Sequence, residues 1–141
     1  MSSKVDETDE RIIRILQTDS RKAFVDIANE IGLSESAVRR RVKNLVDKSI
    51  IRRFTIELEA SDRTSAITLI SVASTADTSA VSNQLMSLNG VKVVYEITGQ
   101  YDIAAIIAAP AITDINKCID DIRKIEGVSD TDTVIVLKTM R

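Results

Sequence analysis

The sequence predicts an α+β fold in which three short helices precede a sheet unit built from two strand–helix–strand halves. Three observations carry this. Residues 1–50 show apolar spacing of helical period broken by short polar turns. A basic cluster follows directly: residues 39–53 hold seven cations and one anion, while residues 61–141 hold seven cations and ten anions, so the chain's formal net charge of −2 conceals two halves of opposite sign. Finally, residues 69–139 contain an internal near-repeat.

The elements follow in order. Asp6, with Asp9 three residues later, predicts an N-cap, and Ile12, Ile13, Ile15 and Leu16 give the first helix an apolar side that stops near Asp19. A second helix is expected from about Val25 to Ile31, with Ile27, Ala28 and Ile31 facing inward. Gly32 supplies a positive φ to close it. Ser34 predicts the N-cap of the third helix, whose core positions Val38, Val42 and Leu45 recur at spacings of four and three.

That layout sets the direction of the charge. With about 100° per residue and Val38 at 0°, Ser36, Arg40 and Lys43 fall at about 160°, 200° and 140°, opposite the core. Arg39, at roughly 100°, flanks this face; Arg41, near 300°, lies on the other border, open to packing or to a backbone phosphate. A basic outward helix set against a short helix by a glycine turn has the form of a helix-turn-helix, and the expected DNA contacts are Ser34, Ser36, Arg39, Arg40 and Lys43. The alternative at this level is a helical hairpin with a solvated face.

Composition removes several other functions. The chain of 141 residues has no histidine and one cysteine, Cys118, so neither a zinc site of the usual Cys/His kind, nor a histidine triad, nor an intrachain disulfide is available. The apolar run at 103–112 is too short for a membrane span and contains Pro110. The N-terminal MSSKVDETDER lacks the apolar core of a signal peptide. The expectation is a soluble, cytoplasmic protein that is not an enzyme and needs no cofactor.

The stretch VDETDERIIRILQTDSRKAFVDIANEIGLSESAVRRRVKNLVDKSIIRRFTIELE resembles the N-terminal half of the Lrp/AsnC (feast/famine) family of transcriptional regulators. The matching features are Asp6 and Asp9, the Asp19–Arg21 exit, Ala28, the Gly32-Leu33-Ser34 turn, and Arg41-Val42 before Leu45. The resemblance implies a helix-turn-helix, winged-helix-like domain over residues 1–60. Two positions depart from it. Phe24 stands where a small hydroxyl residue usually caps the second helix, and Ser49 replaces the glycine that follows the third; each should weaken a helix end by roughly 0.5–1 kcal/mol.

IIRRFTIELE is expected as a connecting strand and EASDRTSA as a hinge. Beyond the hinge, LISVAS, SAVSNQLMSLNGV and VVYEIT correspond to IAAIIAA, INKCIDDIRKIEGV and TVIVLKT. A slide of 37 residues superposes Leu85 on Ile122, Leu88 on Ile125, Gly90 on Gly127 and Val91 on Val128. Two βαβ units in succession predict a ferredoxin-like βαββαβ domain over residues 61–141, with Gly90 and Gly127 as helix C-caps. Cys118 is expected in the core and Asp120-Asp121 on a solvated face.

The resemblance covers this half too. TGQYDI, residues 98–103, is similar to the family's Gly-x-Tyr-Asp signature between the second and third strands, which implies a small-molecule site between subunits, commonly for an amino acid. The chemistry is consistent: N–H groups of Gly99, Gln100 and Tyr101 would hold a carboxylate, and Asp102 would accept an ammonium. The same residues also suit a plain tight hairpin. Thr131 and Thr133, alternating on the last strand, would add hydroxyls to the pocket, or be ordinary strand formers.

One recognition helix offers too little surface for tight specific binding, so two copies are expected. The expected partners are double-stranded DNA, an amino-acid-like effector and further copies of this chain, in a dimer or a larger assembly such as an octamer. A competing reading is a ferredoxin-like ligand-binding or catalytic protein whose basic N-terminal helices dock a partner.

Overall fold

The structure, a computed structural model, describes residues 5–58 and 63–140. The chain divides into two compact units, Met1–Leu58 and Glu59–Arg141. The expected division after residue 60 falls in 59–62, outside the described residues, as does the first part of the expected hinge.

The first unit holds α1 (Glu7–Thr18), α2 (Phe24–Ile31) and α3 (Glu35–Asp47). Their apolar stripes meet in one core of Ile12, Leu16, Ile27, Ala28, Val38 and Val42, with Leu45 also buried. Each isoleucine taken fully out of water there contributes about 1.5–3 kcal/mol. Asp6 caps α1 in a reciprocal box: its Oδ1 accepts from the Asp9 N–H at 2.8 Å, and its own N–H donates to Asp9 Oδ2 at 3.3 Å. Gly32, at φ 75°, ends α2, and Ser34 Oγ accepts from the Ala37 N–H at 3.2 Å to start α3.

Of the two expectations at the helix ends, one needs adjustment and one holds. The N-cap of α2 is Ala23, which makes no side-chain capping bond, and Phe24 is the first helical residue rather than the cap. Ser49 does occupy the position glycine would favour, at φ 57°. Nor does IIRRFTIELE form a strand over its described residues: 52–58 are irregular and do not join the sheet. Phe54, Ile56 and Leu58 are left exposed.

The second unit contains β1 (Thr64–Val72), α4 (Thr78–Ser87), β2 (Val91–Glu96), β3 (Ile103–Ala109), α5 (Ile112–Arg123) and β4 (Val128–Val136). The sheet order is β2-β3-β1-β4, and every neighbouring pair is antiparallel, as the doubled βαβ pattern requires. β1 and β4 begin several residues before the apolar runs LISVAS and TVIVLKT. Thr64 pairs with Ala109, and Val128 with Val72, so cross-strand partners extend both strands into sequence that reads as polar.

Ala66, Ile70, Ile103, Ala105 and Ile107 face the helices and pack on Val81, Leu85, Ile115, Ile119 and Ile122. Ile112 lies in the first turn of α5 and is exposed. Cys118 is a free, buried thiol whose pKa is raised, first by burial and then by the Asp121 charge. Gly90 and Gly127 are not the helix caps, which are Leu88 and Lys124; they form the turns that enter β2 and β4.

Candidate functional site

Two groups of residues carry the chemistry, one in each unit. On α3, Val38, Val42 and Leu45 are buried, while Ser34, Ser36, Arg39, Arg40 and Lys43 are all exposed, as the helical wheel requires. Their charges are not equally available. Arg39 donates to Glu35 Oε1 at 2.7 Å, and Lys43 pairs with Asp47 Oδ2 at 2.6 Å, each across one helical turn. Arg40 has no ion-pair partner among the described residues. These surface pairs are weak and open to competition, because both partners are largely solvated. Ser34 and Ser36 stand with their hydroxyl oxygens 3.2 Å apart at the start of α3, where the free N–H groups of a helix end favour an anion.

Arg41 has another role. Its Nη1 donates to Asp6 Oδ2 at 2.7 Å and to Asp9 Oδ1 at 2.8 Å, tying α3 to the capping box of α1. Of the two roles open to position 41, the structure shows the packing one, an ion pair that holds α3 against the start of α1. The Asp6 carboxyl is held below its ordinary pKa, chiefly by the Arg41 hydrogen bond and then by the Asp9 N–H.

In the second unit, the TGQYDI turn joins β2 to β3. Gly99 adopts φ 117°, and a Cβ there would meet no atom within 4 Å; it is the backbone angle that favours glycine. Asp102 is built into the sheet: its N–H donates to the Ile70 carbonyl at 3.0 Å, and its carbonyl accepts from the Ile97 N–H at 2.9 Å. Its Oδ2 accepts from the Val72 N–H at 2.7 Å, where the register of β1 against β4 shifts between Ser71 and Val72. Oδ1 makes no bond among the described residues. Tyr101 Oη donates to Asp132 Oδ2 at 3.4 Å. The Tyr101 hydroxyl has a raised pKa, first from desolvation and then from the charges of Asp132 and Asp130.

Gly99, Gln100, Tyr101 and Asp102 are therefore brought to one end of the sheet, but Thr131 and Thr133 are not joined to them. Thr133 pairs with Thr68 on the helix-covered face, their hydroxyl oxygens 2.9 Å apart, and Thr131 Oγ1 accepts from Arg123 Nε at 3.1 Å. The strand residue that does meet the turn is Asp132, between them and on the opposite face. Sequence reading missed it because choosing between the two faces of β4 requires the register against β1. Among the described residues no cluster suited to a metal is present, and no helix is long and apolar enough to cross a membrane.

Comparison with known proteins bears on both units. Residues 5–46 match the family model of the AsnC-type helix-turn-helix domain, and residues 65–141 that of the Lrp/AsnC ligand binding domain. The HTH-type transcriptional regulator LysM of Saccharolobus solfataricus is 40% identical over 138 residues, covering 98% of this chain and 97% of the relative. The regulator FL11 of Pyrococcus abyssi is 34% identical over 141 residues, covering 99% and 93%. Escherichia coli AsnC has the same fold, with a TM-score of 0.83 at 26% identity over 98% of this chain and 97% of that one. A regulator of Neisseria meningitidis in complex with L-Met superposes with a TM-score of 0.85 at 23% identity, covering 98% and 93%. A basic recognition helix in one unit, a βαββαβ unit with the Gly-x-Tyr-Asp turn in the other, and matches spanning both place this chain in the Lrp/AsnC family of DNA-binding transcriptional regulators, not among enzymes.

Proposed function

We propose that the regulator meets double-stranded DNA through Ser34, Ser36, Arg39, Arg40 and Lys43 of α3, and that an α-amino acid bound at the Gly99–Asp102 turn modulates this. The observation that carries the DNA face is Arg40: it is exposed, opposite the core, flanked by two cations in exchangeable pairs, and itself unpaired among the described residues. For the effector, backbone N–H groups of the turn suit a carboxylate, while Asp102 Oδ1 and Asp132 suit an ammonium. The L-Met complex of the Neisseria regulator supports the amino-acid class. Thr131 and Thr133 support the site only indirectly, by holding β4 on β1 and α5. Action on DNA implies a cytoplasmic location, and two half-sites imply a dimer, the unit from which an octamer would be built.

Arg40→Ala should weaken binding to every duplex alike and lower the slope of log affinity against log salt by about one unit if the contact is to phosphate, with no loss of thermal stability. Electrophoretic mobility shifts across a salt series measure this, and binding unchanged from wild type would remove α3's outward face from the interface. Asp102→Asn retains an acceptor for Val72 while deleting the charge. Calorimetric titration of the standard amino acids should show binding to wild type and weakened binding to the variant. Equal binding to both would move the site elsewhere.

A further inference from the structure

Arg39 is held at two points, and only one of them belongs to its own helix. Beyond the Glu35 pair, its guanidinium carbon lies 5.2 Å from the centroid of the Phe24 ring. Phe24 opens α2, packs its half-buried side chain against the core of the first unit, and lies with its ring under the Arg39 guanidinium. A cation over an aromatic face is attracted by the ring quadrupole. The arginine side chain is still largely solvent-exposed, at 63%, and Glu35 engages only Nη2. The remaining N–H groups are therefore free to donate outward. Arg39 is the fifth residue of α3, in the part of a recognition helix that reaches base edges.

We propose that Phe24 is a positioning residue for DNA recognition: its ring fixes the Arg39 guanidinium so that the outward N–H edge is aimed before DNA arrives. This rests on the reading that α3's outward face meets DNA. The physical reason is one of freedom. Phosphates lie all along a duplex and accept a mobile cation almost anywhere, whereas a bidentate contact to a base edge needs a fixed plane and direction. Holding the guanidinium in advance removes rotamer entropy that a free arginine would lose on binding, so the clamp acts on discrimination between sequences more than on general attraction.

The test uses the full-length chain, a duplex selected by the wild-type protein from a random-sequence library, and a scrambled duplex of the same length. Phe24→Leu keeps an apolar side chain on the core but loses the ring; Phe24→Tyr keeps the ring. Phe24→Leu should bind the selected duplex about two- to fivefold more weakly and the scrambled duplex nearly as wild type, and Phe24→Tyr should restore binding. In an Arg39→Ala background, Phe24→Leu should have no further effect on DNA, because its target is gone. Thermal melting of each variant separates lost folding from lost recognition. Equal weakening on both duplexes, or an undiminished Phe24→Leu effect in the Arg39→Ala background, would overturn the clamp. Wild-type binding by Arg39→Ala would instead remove Arg39 from the interface, and the proposal with it.

Discussion

At position 41 an arginine leaves the basic face of its own helix and joins the two acids that cap another. Because Arg41 and the Asp9 N–H both favour the charged form of Asp6, its folded pKa lies below the unfolded value. A depressed carboxyl stabilises the fold fully above the unfolded pKa and loses that contribution as pH falls through the folded one. The wild-type first unit should therefore lose stability as pH falls below about 4, while Arg41→Gln should lose less over the same range, starting from a lower plateau. Thermal melts across that range check the sign; parallel profiles would detach Arg41 from the cap. The helical wheel placed Arg41 only at a border. That its partners lie on α1 is a fact of packing, and no spacing within α3 encodes it.

At the scale of elements, the doubled strand–helix–strand pattern identified both helices and all four strands, yet it gave the turn glycines a different role. Gly127 does more than permit a positive φ. A Cβ there would lie 2.8 Å from Ala76 Cβ and 3.1 Å from Val81 Cγ2, whereas at Gly90 the nearest atom would be 3.6 Å away. Gly127→Ala should therefore cost about 2–4 kcal/mol, combining backbone strain with overpacking, and Gly90→Ala only about 1–2 kcal/mol of strain. Chemical denaturation of the two variants measures the difference, and equal midpoints would contradict it. The repeat makes the two glycines look equivalent, because it records chain order and not which loop packs against the turn.

At the scale of the molecule, the sheet has one face without helices. Registry places Ile67, Leu69, Ile106, Val93, Tyr95 and Val134 there, with Tyr95 54% and Val134 50% exposed. An apolar sheet face of this kind is covered by another surface in stable proteins, and a second copy supplies it symmetrically. A fragment of residues 63–141 keeps every strand of the sheet and the whole of its core. It should fold alone and self-associate; a monomer by sedimentation at micromolar concentration would refute this cover. Val134→Glu should weaken the association while leaving the helix-side core intact.

By itself, the sequence determined the five helices and the central part of each sheet strand, which face of α3 carries charge, and where a glycine must bend the chain. These features follow from periodicity and local backbone sterics, which act within a few residues. Tertiary structure alone decided that Arg41 pairs with Asp6 and Asp9, that Phe24 meets Arg39, that residues 52–58 join no strand, and that Asp132 rather than Thr131 or Thr133 meets Tyr101. Each is a contact between segments distant along the chain, or the lack of one. Strand register makes the point most sharply, since with a side-chain period of two a slip of one residue exchanges the faces, and only the pairing of β1 with β4 fixes which face the turn can reach.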